Sequence, residues 1–220
     1  MKQVFSFLKS LEANNNREWF NEHKDAFKAA EKEFKALVED VQDGLTAIDQ
    51  IDAQATKTFR IYRDVRFSND KTPYHKHRSA SFKRATKERR GGYYLRIQRG
   101  ASVLVGGFFG PNSADMLHIR KQIQQDPDPL REILASADVT DYFGGLEGEQ
   151  VKSAPRGFNK EDPAIDLLKY KQLILRKSFT DKEVMAPNFA SQVVEGYAKM
   201  RPFFDYMSEI LTTDLNGEEL

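Results

Sequence analysis

The chain has 220 residues, of which 40% are hydrophobic and 30% charged, so it can bury a core and is not a disordered tail. It contains no cysteine, which excludes a disulfide scaffold, a thiolate metal centre and a cysteine nucleophile. No apolar run approaches the ~20 residues that span a bilayer, and the apolar stretch at the start is too short for a signal peptide. We therefore expect a soluble, cytoplasmic protein with no membrane contact and a single domain over residues 1–220.

Charge is distributed unevenly along the chain. The totals nearly cancel, with 34 basic and 33 acidic residues. Residues 57–90, however, contain 12 Lys or Arg and only three acids, a net charge of +9 that leaves −8 on the remainder. Such a basic segment either attracts a negatively charged ligand or polymer, or docks against the acidic remainder of the chain.

The first half of the chain predicts two helices and then a strand. A short helix is expected over residues 3–12. A long one follows, because apolar residues recur every three or four positions from Phe20 to Leu45. Residues 59–67 instead alternate with a period of two, which is typical of a strand.

The strand predicted at 59–67 has two contrasting faces. Arg63 lies on the apolar face, where an unpaired guanidinium is costly, so we expect it to meet a carboxylate or a polar cavity. The opposite face presents polar and charged side chains, namely Arg60, Tyr62, Asp64 and Arg66.

The second half predicts more strands, flanked by helices. After a turn-rich loop at 68–77, a hairpin is expected from strands at 93–98 and 101–106, and a further strand at 173–179. Gly106 and Gly107 indicate a bulge or a close backbone approach. The predicted class is α+β: an antiparallel sheet packed by the long N-terminal helix and by C-terminal helices.

Several motifs together carry a family resemblance. The stretch FRIYRDVRFSNDKTPYHKH at 59–77 is the most specific, and others are NNNREWF at 14–20, GYYL at 92–95 and APRGF at 154–158. The chain resembles the bacterial and fungal proteins called domain of unknown function 2461 over nearly its whole length. The resemblance implies a single-domain conserved protein and brings no reaction with it.

Other sequence features argue against several kinds of chemistry. The paired glycines form neither a GxGxxG motif nor a Walker loop, so no nucleotide cofactor of those kinds is expected. His75, His77 and Asp70 lie close in sequence, but the surrounding cations would oppose a divalent metal, and we predict no metal site. Whether the protein is an enzyme stays open.

The basic segment favours recognition of an oxyanion. Arginine forks bind phosphate or carboxylate through paired hydrogen bonds, and lysine adds a point charge. If the loop after residue 67 folds back, Arg60, Arg66, Lys71 and His77 converge, with Tyr62 and Asp64 beside them. Arg156, which precedes a helix predicted to start at Asp162-Pro163, is a further candidate.

Three hypotheses follow. The first is a site for a small phosphorylated or carboxylated ligand, enzymatic or not. The second is a nucleic-acid module that stacks bases on Tyr62, Tyr74, Tyr93 and Tyr94. The third is an interaction protein whose basic segment is paired internally. We favour the first, because the arginines alternate with apolar residues in a strand instead of lying on a flexible arm.

Overall fold

The computed structural model describes all 220 residues and contains ten α-helices and a five-stranded sheet. The helices are α1 (Lys2–Ala13), α2 (Arg17–Glu22), α3 (Lys24–Ile48), α4 (Ser113–Gln125), α5 (Asp128–Ala135), α6 (Ala137–Thr140), α7 (Ile165–Leu168), α8 (Asp181–Val184), α9 (Phe189–Lys199) and α10 (Arg201–Ile210). The strands are β1 (Lys57–Thr58), β2 (Arg78–Lys83), β3 (Gly92–Ile97), β4 (Ser102–Phe108) and β5 (Leu173–Phe179). No helix combines the length and the apolar character that crossing a bilayer requires.

The order of the strands in the sheet follows the chain, from β1 to β5. β1 pairs antiparallel with β2, and Lys57 lies opposite Ser81. β3 and β4 form the predicted hairpin, in whose turn Gly100 has a φ of +65°, a left-handed conformation that glycine adopts without steric cost. The predicted α+β class is confirmed.

The strand expected at 59–67 is shorter and earlier, since only β1 is regular. Beyond it, the Phe59 amide donates to the Ser79 carbonyl (2.9 Å) and the His75 amide donates to the Ile61 carbonyl (2.7 Å). Residues 60–61 therefore lie opposite residues 75–78, and the two extra residues of the second segment interrupt the ladder. We call residues 75–78 the bulge.

The long helix predicted from Phe20 to Leu45 is divided at His23 into α2 and α3. His23 has φ −110° and ψ 24°, outside the helical region, and it ends α2 and precedes α3. Beyond this break, α3 buries the apolar stripe expected from the sequence, including Phe34, Val41 and Leu45. Val4, Leu8 and Leu11 of α1, which packs against α3, are also buried.

The turn between α1 and α2 holds the segment that leads into the bulge. Asn16 caps α2 by accepting a hydrogen bond from the Trp19 amide (2.9 Å). The Asn15 carboxamide donates to the Tyr74 carbonyl (2.9 Å) and accepts from the Tyr74 amide (3.1 Å). One side chain thus satisfies both backbone groups of Tyr74, as a neighbouring strand would.

Contacts within the chain divide it into two units. The first consists of residues 1–82, 94–104 and 178–195, and the second of residues 83–93, 105–177 and 196–220. The expectation of one domain stays a prediction.

In the second unit, a close backbone approach occurs at Gly107, as its sequence predicted. Gly107 has a φ of +140°, and a Cβ there would meet the Leu173 carbonyl oxygen. The same unit buries Arg84 completely, with its guanidinium 4.8 Å from the centre of the Phe204 ring and bonded to Ser208 (2.9 Å).

Candidate functional site

Arg63 organises the loop that follows Ile61. Its guanidinium donates to Asp70 Oδ2 (2.6 Å), Thr72 Oγ1 (2.5 Å) and the Thr72 carbonyl (3.0 Å). Only 20% of the side chain is exposed. The expected pairing of Arg63 with a carboxylate is confirmed, and it closes a loop that we call the loop tip, residues 63–72.

Two of the predicted site cations have partners within the loop tip. Arg66 forms a two-point pair with Asp64, through Nη2 to Oδ2 (2.7 Å) and Nε to Oδ1 (3.0 Å). These hydrogen bonds lower the pKa of Asp64 below its usual value. Lys71 Nζ donates to the Val65 carbonyl (3.0 Å). The loop tip thus holds both cations by its own oxygens.

Arg60 lies just before the loop tip and has no hydrogen bond or ion pair. Its side chain is exposed, and its charge lowers the pKa of both Asp64 and His75. Tyr62, at 50% exposure, packs one side of its ring against Phe20 (5.8 Å) and Tyr74 (5.2 Å), measured between ring centres.

The bulge brings two imidazoles together. The rings of His75 and His77 lie 4.9 Å apart between centres, and both are half-buried. Burial, His75, Arg96 and Arg78 lower the pKa of His77 to about 4. The pKa of His75 is lowered by burial and then by Arg63, Arg78 and Arg60. Both rings are therefore neutral at pH 7 and surrounded by positive charge.

The arginines around the bulge differ in how they are held. Arg78 is buried and bound to Glu31 (2.9 Å) and the Phe59 carbonyl (2.7 Å), so its charge is balanced. Arg96 of β3 donates only to the Ala101 carbonyl (3.2 Å), and its buried Nε has no hydrogen-bond partner. Arg60 and Arg96 thus both lack a carboxylate partner.

Arg96 and His75 are not among the site residues that the sequence predicted. Arg96 carried a signal, since it alternates in β3 with the buried Leu95 and Ile97 and so belongs to the other face of the strand. For His75, the available signal was its position two residues before His77 in the sequence. The bulge brings His75 close to His77, and no alternation pattern in the sequence reveals the offset that produces it.

The remaining candidates are placed elsewhere or are inaccessible. Arg156 is exposed in the second unit, with no hydrogen bond or ion pair. Tyr93 and Tyr74 are buried, at 1% and 3% exposure, so only Tyr62 and Tyr94 of the four tyrosines keep accessible rings. No group of three or more histidine or carboxylate side chains is placed to hold a metal ion.

Much of the basic segment is paired internally. At least six of its twelve cations contact carboxylates, namely Arg63, Arg66, Lys76, Arg78, Arg84 and Arg90. The segment also divides between the two units after Phe82.

Comparison with known proteins gives a family and no closer relative. No curated protein and no solved structure matches the chain significantly. The model of one family, described as "Conserved hypothetical protein (DUF2461)", matches residues 3–206. This match spans most of the chain and includes the loop tip, the bulge and the sheet. The chain therefore belongs to the DUF2461 family of conserved hypothetical proteins.

Proposed function

We propose that the protein binds a small oxyanion, a phosphate or carboxylate group, at the bulge between Arg60, His75, His77 and Arg96. One observation carries the proposal: two half-buried imidazoles have ring centres 4.9 Å apart, and burial and several neighbouring arginines lower their pKa values. Two of those arginines, Arg60 and Arg96, have no anionic partner of their own.

The arrangement suits an anion for electrostatic reasons. Like charges held close together repel, and partial burial strengthens the repulsion because water screens it less. An anion at this position would offset the positive potential and accept hydrogen bonds from guanidinium and imidazole N–H groups. It would also supply the partner that the buried Nε of Arg96 lacks.

The proposed site keeps part of the set predicted from the sequence. Arg60 and His77 remain, with Tyr62 beside Arg60. Arg66 and Lys71 are left out of the proposal because Asp64 and the Val65 carbonyl already hold them. Arg156 belongs to the other unit and is left out of the proposal.

The test follows the two histidines by NMR while the pH is varied, with and without inorganic phosphate. Without phosphate, His77 should titrate near its pKa of about 4. With phosphate, we expect the pKa of His77 to rise by about one unit, which corresponds to about 1.4 kcal/mol of differential interaction.

Two variants make this test specific. Arg60→Ala should weaken the phosphate-induced shift. Lys76→Ala is the matched control, because Lys76 lies between the two histidines in sequence but contacts Glu12 (3.7 Å). Equal phosphate effects in the wild type and both variants would indicate a general salt effect and contradict the proposal.

A further inference from the structure

The bulge adjoins an accessible face of the sheet that carries two aromatic rings. Phe59 lies opposite Ser79 through their backbone hydrogen bond (2.9 Å). Its ring centre is 6.1 Å from that of Tyr94, in an edge-to-face arrangement. Phe59 is 36% exposed and Tyr94 is half-buried. The face therefore offers aromatic surface next to the proposed anion site.

Strand geometry places this aromatic surface and the anion site side by side. Side chains two residues apart point to the same face of a strand, about 6.6–7 Å from each other. Tyr94 and Arg96 have this relation in β3, and Arg96 is near enough to His77 to lower the pKa of its ring. Ser81, between these positions and Lys57, is partly accessible, whereas Ser79 is buried.

Lys57 completes the face. It lies opposite Ser81 in the β1–β2 pairing, and its Nζ is 5.4 Å from the centre of the Phe59 ring. A cation over one ring, two arginines and two imidazoles nearby, and accessible aromatic surface together complement a ligand that has both a flat ring system and a negative charge.

From this juxtaposition we infer that the ligand is a nucleoside monophosphate, with its phosphate at the bulge and its base against Phe59 and Tyr94. The inference rests on the proposed anion site and names its ligand class. One strand repeat separates Tyr94 from Arg96, a gap that the sugar of a nucleotide can bridge between base and phosphate. Stacking on aromatic side chains tolerates any base, because each base has a π-face.

The experiment measures binding to the full chain by calorimetry with four probes: inorganic phosphate, ribose 5-phosphate, adenosine 5′-monophosphate and an oligoadenylate of twelve residues. We expect adenosine monophosphate to bind at least tenfold more tightly than ribose 5-phosphate, about 1.4 kcal/mol. Tyr94→Leu should abolish that preference and leave the affinity for inorganic phosphate unchanged, whereas Tyr94→Phe should retain it.

Phe67→Leu is the control for loss of an aromatic ring, because Phe67 is 97% exposed at the loop tip, outside the proposed face. It should behave as the wild type. A thermal melt of each variant establishes whether it is folded. If Tyr94→Leu does not fold, Tyr94→Phe still tests the inference, because it keeps the ring and should keep the preference for adenosine monophosphate.

The failures of the two proposals are distinguishable. Equal affinities for ribose 5-phosphate and adenosine monophosphate would overturn this inference and leave the anion site standing. No binding of any phosphate compound would overturn both. Much tighter binding of the oligoadenylate, falling steeply with salt, would overturn the mononucleotide assignment in favour of a nucleic-acid ligand.

Discussion

The loop tip and the bulge are adjacent in sequence, yet their cations have opposite surroundings. In the loop tip, Arg63 and Arg66 are held by the carboxylates of Asp70 and Asp64. Around the bulge, Arg60 and Arg96 have no carboxylate partner, and both histidines have lowered pKa values. Basic residues close in sequence can thus serve the fold in one place and leave a positive potential in the next.

The difference arises from where the acids lie. Asp64 and Asp70 are within a few residues of the arginines that they hold, so the loop tip closes on itself. The bulge contains no acid, and the carboxylates that reach it, Glu31 and Glu12, contact Arg78 and Lys76. A net charge of +9 along the segment therefore says less about binding than the position of its three acids.

The largest expected effect is on the loop tip. Arg63→Ala should lower the free energy of unfolding by about 1.5–3 kcal/mol, the range for hydrogen bonds to charged groups, because it removes the bonds to Asp70 and Thr72. Urea denaturation measures this. Arg60→Ala is the matched control and should be neutral, since Arg60 is exposed and makes no hydrogen bond or ion pair. Equal losses of unfolding free energy in both variants would contradict the proposed difference between the loop tip and the bulge.

An intermediate effect is expected from pH. His77 has a pKa of about 4 in the folded protein against 6.5 ordinarily, so between these values the unfolded chain binds more protons. Stability should therefore fall as the pH drops from 6.5 to about 4. The groups responsible, besides burial, are His75, Arg96 and Arg78. After allowance for screening by solvent, we expect about 1–2 kcal/mol.

His77→Gln tests this assignment. Its stability should depend less on pH across that window than the wild type does, as measured by urea midpoints at several pH values. An unchanged pH profile would show that other groups produce the acid sensitivity and that protonation of His77 in the bulge does not destabilise the fold.

The smallest effect concerns the exposed pair in the loop tip. Arg66→Ala should leave the urea midpoint unchanged, because exposed ion pairs contribute little. It should also return the pKa of Asp64 toward its ordinary value, since Arg66 is the main cause of the lowering. NMR titration of the Asp64 carboxyl measures this shift. A clear loss of stability would mean that Arg66, like Arg63, organises the loop tip.

The regular helices and strands were predictable because their hydrophobic periodicity continues through the whole element. β3 alternates buried and partly accessible side chains as its sequence indicates, and the apolar stripe of α3 is buried where the spacing places it. The sequence predicted either a bulge or a close backbone approach at Gly106 and Gly107, because few other situations require glycine within a strand, and the structure has a close approach at Gly107.

The region from 59 to 67 followed its pattern only in part. Alternation made Phe67 a member of the buried face, yet it is 97% exposed. A strand needs a partner as well as a pattern, and the bonds of Arg63 to Thr72 and Asp70 turn the chain away before Phe67 can pair. The offset at the bulge depends on long-range backbone bonds, so the sequence alone could not bring His75 and Arg96 into the site.

Asn15 is a position at which deamidation would disrupt a contact that holds the fold. Its carboxamide donates to one backbone group of Tyr74 and accepts from the other. Deamidation would turn the donor into an oxygen facing the Tyr74 carbonyl, and it would place a new negative charge next to the residue that precedes His75. Ageing of a stored sample at this one side chain would then loosen the segment and alter the titration of the histidines together.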